Sequence, residues 1–420
     1  MKALIKTLFF FLLLTQICFG QWYQQTSGST KMLFSVYFIS ENTGWVCGDE
    51  GEILKTTDGG NNWIPQNSNT IFPLYSIYFI SESIGWAAGG YYSPLHGLIL
   101  KTTDGGNNWS TQTSSIPYQL FSVYFVSQTT GWVAGNADQI FKTTNGGTSW
   151  VPQVAEAADY QGIFFINENT GWAVGGSRYN TFSKLLKTTD GGASWVPKTV
   201  ATNNYLRALY FISETTGWVT GNFGIMFKTT DGGENWEEQS SGISGDLYSI
   251  HFASQDYGWA LGADGRIIET TNGGMDWMLQ ISGTNNTLYS VYFIDINTGW
   301  IVGSAGTILH TSNGGVTFLG NEEFGDIPKE FLLSQNYPNP FNPSTKISWQ
   351  SPVSGWQTLK VFDVLGNEIA TLVDEYKPAG RYEVEFNSNS GEVRNLSSGV
   401  YFYQLRAGEY TAVKKMLLIK

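Results

Sequence analysis

Short apolar runs separated by polar turn residues recur with one rhythm from residue 22 to residue 318. Each unit opens with a run such as residues 33–39 (LFSVYFI) or 288–294 (LYSVYFI). Such a run lacks the in–out alternation of a half-buried strand, so the pattern predicts an innermost strand covered on both faces. A Gly-Trp segment follows (GWVCG at 44–48), then a run such as residues 53–57 (ILKTT), then a fourth strand that starts at the tryptophan of an Asp-Gly-Gly turn. Gly-Trp recurs at Trp45, Trp86, Trp132, Trp172, Trp218, Trp259 and Trp300, at spacings of 41, 46, 40, 46, 41 and 41. A phenylalanine ends every first run: Phe38, Phe79, Phe125, Phe165, Phe211, Phe252 and Phe293. Four short strands per unit, seven times over, predict a seven-bladed β-propeller.

The ends of the repeat predict how the ring closes. Residues 22–25 (WYQQ) copy the fourth-strand pattern of residues 63–66 (WIPQ), and Trp22 precedes Trp45 by the same 23 residues that separate Trp63 from Trp86. The last unit carries Phe318 where the others have tryptophan. The N-terminal strand is therefore expected to complete the seventh blade, which ties the first and last blades together and removes an open edge.

Beyond the repeat the pattern changes. An acidic linker, 321–334, leads to a proline-dense stretch (NYPNPFNPST) that cannot be a central strand. Alternating runs follow at 359–364, 382–386, 399–405 and 412–419, with a Gly366-Asn367 turn. They predict an all-β second domain over residues 335–420, a small Ig-like antiparallel β-sandwich. With the propeller at 21–320, the whole chain reads as all-β.

Composition narrows the compartment and the partners. Residues 1–20 carry Lys2 and Lys6, an apolar run from Leu8 to Leu14 and a small-x-small site at Cys18-Phe19-Gly20. This is a cleavable signal peptide in outline, too short in its apolar part to span a bilayer. After cleavage Cys47 is the sole cysteine, so no internal disulfide supports the exported chain, and this thiol is expected in the core. The formal charge of −12 disfavours a nucleic-acid backbone as partner. The acidity is confined to the propeller: residues 21–326 hold 11 Lys and Arg against 26 Asp and Glu, whereas residues 327–420 hold 10 against 9.

The turn motif reads TTDGGNNW at 56–63 and 102–109, and recurs with Asp190 and Asp231. Asn145, Asn272 and Asn313 take the place of Asp58 and Asp104 in the remaining units. It resembles the Asp-box of sialidase-type propellers, and the whole unit is still more similar to the photosystem II assembly factor (YCF48-like) family. The aspartate is a turn residue that accepts backbone N–H groups, and glycines supply left-handed φ. Substitution by asparagine keeps the acceptor and drops the charge, which a general acid or a calcium site would not tolerate. The turns are thus structural.

The C-terminal runs NYPNPFNPSTKISW, VFDVLGNEIATLV, SSGVYFYQL and KKMLLIK, in that order, resemble the C-terminal sorting domain of type IX secretion. The resemblance assigns the sorting motif to Tyr337, Pro338, Asn339, Pro340, Gly399, Tyr401, Lys414 and Lys415. It implies type IX machinery as the partner of residues 335–420 and passage through the periplasm of a Gram-negative cell to its surface or beyond. Membrane association would follow only from attachment after sorting.

Candidate ligand contacts come from breaks in the period. From the Gly-Trp tryptophan to the turn Asp or Asn is 13 residues in five units and 18 in units two and four. The insertions bring Tyr91, Tyr92 and His96, and Arg178, Tyr179 and Phe182, to the propeller face opposite the Asp-turns. The position eleven before each Gly-Trp tryptophan is Phe34, Tyr75, Phe121, Gln161, Arg207, Tyr248 and Tyr289, so Gln161 and Arg207 depart from aromatic. Arg178, Arg207 and Arg266, the propeller's three arginines, fall near this face, where tyrosine and arginine supply contact area and directional donors. The competing account of these features is drift, with the arginines paired to abundant acids.

The reading is a non-catalytic binding module for a glycan, peptide or surface protein. The alternative is an Asp-box glycoside hydrolase, for which Asp138, Asp159 and Asp264 lie on suitable loops without marking a pair. His96, His251 and His310 fall in different units without ligand spacing, and no cofactor fingerprint is present, so neither metal nor cofactor is expected.

Overall fold

The computed structural model describes residues 22–91, 96–112, 116–176, 183–315, 330–353, 355–377, 380–389, 396–408 and 410–420. The chain divides into two compact units, Met1–Thr317 and Phe318–Lys420. The signal-peptide segment lies outside the described residues.

The first unit holds seven four-stranded antiparallel sheets among its described residues. Blade one runs Leu33–Phe38, Gly44–Gly48, Ile53–Thr56 and Ile64–Pro65 from the inside out. The other inner strands are Leu74–Phe79, Leu120–Phe125, Asp159–Phe165, Leu206–Phe211, Leu247–Phe252 and Leu288–Phe293.

The inner strand is not covered on both faces as its apolar run predicts. Leu33, Val36 and Phe38 are buried, while Phe34, Ser35 and Tyr37 are half-buried on the channel side. A bulge between Leu33 and Ser35 resets the register, so the in–out alternation is hidden in the sequence. The wholly buried strand is the Gly-Trp strand, Gly44–Gly48, which has sheet neighbours on both edges and blades on both faces. Inner-strand serines link neighbouring blades: Val36 N–H donates to Ser290 Oγ, Ile77 to Ser35, Val123 to Ser76, Ile163 to Ser122 and Val291 to Ser249.

The recurrent Phe and Gly-Trp are two halves of one packing unit. Phe38 pairs across the ladder with Gly44, and a Cβ on Gly44 would lie 2.5 Å from the Phe38 ring. The ring's other face stacks on Trp300 of the preceding blade at 3.5 Å and 9°, and Trp63 meets its edge at 5.9 Å and 89°. Trp45 repeats the stack on Phe79 and donates its Nε1–H to the Gly105 carbonyl in the next blade's Asp-turn. Cys47 lies in this core with Sγ against the Leu74 carbonyl, and burial pushes its thiol pKa up.

In the Asp-turn, Asp58 Oδ1 accepts from Thr56 Oγ1 at 2.9 Å and from Asn62 N–H at 2.9 Å, and Oδ2 accepts from Asn62 Nδ2 at 2.7 Å. Asp104, Asp190 and Asp231 repeat the arrangement. Asn145 Oδ1 accepts from Thr143 Oγ1 and Ser149 N–H, and its Nδ2 donates to Ser149 Oγ. Asn272 keeps the same backbone bond and donates to Asp276 Oδ2, so the donor and acceptor of the pair are exchanged. Asn313 accepts from Thr311 Oγ1 and from Gly315 N–H. Asp58→Asn is therefore expected to shift the melting temperature by no more than a degree or so, since an Asn62 amide turned over restores the lost acceptor. A thermal melt checks it.

The ring closes through the N terminus. Tyr23, Gln24 and Gln25 pair with His310, Leu309 and Ile308 as the outer strand of the last blade. Trp22 takes the Asp-turn tryptophan's place, edge-on to Phe293 at 5.8 Å and 87°. Gln25 Nε2 reaches forward to the Gly59 carbonyl of blade one.

Two units break the charge pattern beside this closure: blade seven has His310 at the lysine position, and blade six an acid. Lys55, Lys101, Lys142, Lys187 and Lys228 each lie over the tryptophan of their own Gly-Trp pair, at 5.2–5.9 Å. In blade six the position is Glu269, 4% exposed. Its Oε2 accepts from Gln280 Nε2 at 2.6 Å, and Gln280 Oε1 accepts from Trp22 Nε1 at 2.9 Å. Burial without a cationic partner raises the Glu269 carboxyl to about 7. A folded-state value above the unfolded one means a stabilisation complete below the ordinary carboxylate range and lost as pH rises through about 7. Between pH 5 and 8 the wild type is expected to lose several degrees of melting temperature relative to Glu269→Gln. Parallel pH profiles for the two chains would contradict this.

The second unit is a β-sandwich of a three-stranded sheet (Leu332–Leu333, Ser344–Ser351, Gly380–Asn387) and a four-stranded sheet. The latter is built from Gly355–Phe362, Glu368–Lys377, Gly399–Ala407 and Tyr410–Leu418. Glu368–Lys377 is an edge strand that the alternation did not reveal, because its sole buried residue is Val373. Leu332–Leu333 pairs with Gln350 and Trp349, so sheet pairing begins ahead of the proline-rich motif.

Candidate functional site

Strand direction divides the propeller into two faces. The Asp-turns occupy one. The other, here the funnel face, carries the starts of the inner strands and the connections between second and third strands. Four predicted contacts, Tyr92, Arg178, Tyr179 and Phe182, lie outside the described residues. Tyr91 and His96 are described. The insertion in unit two lengthens the hairpin of Gly85–Tyr91 and His96–Thr102, with Tyr91 paired to His96 at its end. Both rings pack on Phe72, at 6.1 and 5.6 Å, and Tyr91 remains 46% exposed.

Around the funnel the aromatic tier predicted from the period is nearly continuous. Phe34 contacts Tyr75 and Tyr289, Tyr75 contacts Phe121, and Tyr289 contacts Tyr248, with centroids 5.1–5.6 Å apart. Arg207 does not interrupt it. Its guanidinium lies over Tyr248 at 5.0 Å and over Tyr205 at 5.2 Å, a cation–π continuation of the tier. Arg207 Nε donates to Asn222 Oδ1 at 2.7 Å, and Nη2 lies 3.5 Å from Asp246 Oδ2. The candidate arginine is thus held by four neighbours, one of them an acid as the competing account expects, and still exposes 24% of its side chain. The break in the tier is Gln161, whose buried Nε2 has no partner among the described residues. Arg266 follows the turn Ala263–Gly265 in the same connection of blade six.

Asn222, Asp246 and Phe72 complete the site and escaped sequence reasoning. Asp246 and Asp159 share one repeat position, immediately before or at the start of an inner strand, and the acid there in two units was the legible signal. Each caps a neighbouring loop: Phe223 N–H donates to Asp246, and Ala137 N–H to Asp159. Asp138 accepts from Ala158 N–H in return. These acids serve loop geometry. Exposed apolar side chains rim the same face, among them Ile71 at 80%, Val154 at 86% and Phe223 at 67%.

Deeper along the axis stands a closed second tier. Tyr37, Tyr78, Tyr124, Phe164, Tyr210, His251 and Tyr292 succeed one another round the channel, with neighbouring centroids 4.7–5.4 Å apart. Burial raises the phenols of Tyr37, Tyr78, Tyr124 and Tyr292 far above their ordinary range, and these hydroxyls interact in series. All the described members of this collar are uncharged at neutral pH.

In the second unit the sorting-motif residues converge. Phe341 N–H donates to the Leu417 carbonyl and Ile419 N–H to the Phe341 carbonyl. Asn339 Oδ1 accepts from Leu417 N–H, and Lys415 O accepts from Gln335 Nε2. Buried Asn336 donates to the Pro338 carbonyl and to Thr345 Oγ1. Tyr337 and Pro340 are exposed. On the last two strands Gly399 pairs with Leu418, Tyr401 with Met416, and Lys414 with Tyr403. The proline-rich motif and the terminal KKMLLIK run are therefore one structural feature, the former docked on the latter. A groove of about 700 Å³ crosses the outer face of the four-stranded sheet, beside Trp356.

The architecture is that of a β-propeller followed by a β-sandwich tail. Residues 15–158, 153–242 and 237–320 match the family of the photosynthesis system II assembly factor YCF48, and residues 335–420 match the secretion system C-terminal sorting domain. The chain belongs to the YCF48 family and ends in a sorting domain that marks it for secretion or the cell surface. Among solved structures it is similar to YCF48 bound to D1 peptide, with 22% identity, a TM-score of 0.60, and 70% of this chain and 97% of that one covered. YCF48 from Cyanidioschyzon merolae gives 21% identity and a TM-score of 0.59 over 69% of this chain and 98% of that one. PorZ, a surface component of the type IX secretion system of Porphyromonas gingivalis, gives 12% identity and a TM-score of 0.53 over 93% and 59%. No curated protein matches the chain in sequence.

Proposed function

We propose that the propeller is a non-catalytic binding module carried to the cell surface by its tail, and that its funnel face grips an extended peptide. Residues 1–20 act as the signal for the first membrane and residues 335–420 as the address for the second. The observation that carries the reading is the Arg207 cluster: a guanidinium fixed by Asn222 and Asp246, stacked in an aromatic tier and still partly open. A pre-positioned guanidinium binds a carboxylate or backbone carbonyl without paying to order itself. The exposed apolar rim and the Tyr91–Phe72–His96 cluster supply contact area around it. A solved relative of the same fold carries a peptide.

The test is a peptide and glycan array probed with the full chain, followed by anisotropy titration of the best peptide. Arg207→Ala is expected to weaken binding by about tenfold or more, with Tyr91→Ala weaker in effect. Failure of every peptide to bind, or an affinity unchanged in Arg207→Ala, would overturn the reading. A glycan hydrolysed on the array would replace it with the hydrolase alternative.

A further inference from the structure

The collar on the propeller axis is regular except in blade six. His251 stands where five units carry tyrosine and one phenylalanine. Two residues later, where six units carry isoleucine or valine, blade six has Ala253. Both changes remove side-chain volume on the Asp-turn side of the channel, where a cavity of about 440 Å³, open to solvent, lies beside them. Tyr37, Tyr210, His251 and Tyr292 line it, with Ile39, Ala253 and Ile294 among its apolar walls.

The chemistry of this cavity is specific. His251 is nine-tenths buried and its Nδ1 has no hydrogen-bond partner among the described residues. Its flanking rings, Tyr210 at 4.7 Å and Tyr292 at 5.0 Å, hold it in place. Desolvation lowers its pKa to about 3, so the imidazole is neutral at neutral pH. An orphaned buried nitrogen costs stability, and the other six units, with tyrosine or phenylalanine there, carry no such nitrogen. A ligand that turns the imidazole toward itself accounts for keeping His251. No ionised side chain lines it, so a full charge would enter uncompensated. Phenols and an imidazole offer donors and acceptors side by side against apolar walls, which suits a ring bearing several hydroxyls.

We infer that this cavity is a second binding site, distinct from the funnel face, for a neutral sugar ring. Its ligand sits on the Asp-turn side of the aromatic collar, making hydrogen bonds to His251 and to the phenols. The funnel-face ligand lies on the other side of the collar, so the two sites are occupied independently.

The probes are methyl glucoside and methyl galactoside, with phenol, inorganic phosphate and tetramethylammonium as chemical alternatives. Saturation-transfer NMR on the full chain is expected to detect at least one methyl hexoside at millimolar concentration, and the His251 imidazole ¹⁵N signal should move as it binds. His251→Tyr/Ala253→Ile restores the repeat sequence; it should keep or raise the melting temperature and lose the saturation-transfer signal. Ala253→Ile alone should weaken binding while leaving the imidazole in place. Absence of hexoside binding in the wild type would overturn the proposal. So would binding confined to phenol, phosphate or tetramethylammonium, or hexoside binding undiminished in the double variant.

Discussion

Replacing Trp132 by alanine is expected to destabilise the propeller by about 3–5 kcal/mol, the usual range for a large aromatic removed from a core. The indole is fully buried and stacks on Phe165 of the next blade at 3.5 Å and 7°. Its Nε1–H donates to the Gly191 carbonyl at 3.1 Å, so the substitution also leaves a buried acceptor short of a donor. Lys142, held over the ring at 5.2 Å, loses its platform. Because each such tryptophan belongs to one blade and packs on its neighbour, the loss falls on an interface. A fall in melting temperature of roughly 5–10 °C is the readout, and an unchanged value would refute the interlocking of Phe, Gly and Trp.

Deleting residues 21–25 is expected to cost about as much or more, roughly 4–7 kcal/mol, combining a buried tryptophan with ladder hydrogen bonds. Trp22 is 4% exposed and packs with Trp259, Phe293 and Ile301 in one core cluster. Its removal strips Gln280 of the Trp22 donor, and Trp63 of the Gln25 acceptor at 3.1 Å. The edge of Ile308–Ser312 is left open, and an open edge invites strand addition from another chain. The truncated chain should melt lower and form dimers or larger species in analytical ultracentrifugation. A monomer of unchanged melting temperature would show that the ring does not depend on its N-terminal strand.

The period made most of the fold legible. Seven repeats of Phe, Gly-Trp and Asp-Gly-Gly fix strand order, and the stray Trp22 discloses the closure. What the pattern concealed has local causes. The bulge after Leu33 shifts the alternation of the inner strand, so a half-exposed channel face resembles a covered one. The edge strand Glu368–Lys377 buries only Val373 and carries no apolar rhythm.

The site was legible in part. Arg207 and Tyr91 stood out because they depart from a repeat, a signal that needs no partner to be seen. Asn222, Asp246 and Phe72, which hold them, come from other blades or connections, and only the folded ring brings them close. The same limit applies to the tail. The pairing of Phe341 with the final strand joins residues 341 and 418, which no local pattern links.

The most direct test of a surface-delivered propeller is the location of a chain lacking residues 335–420 in a host with type IX secretion. The propeller should fold and accumulate in the periplasm, protected from protease added to intact cells, while the full chain is accessible or released. Equal surface delivery of both chains would contradict the account, because the sandwich would then not be the address.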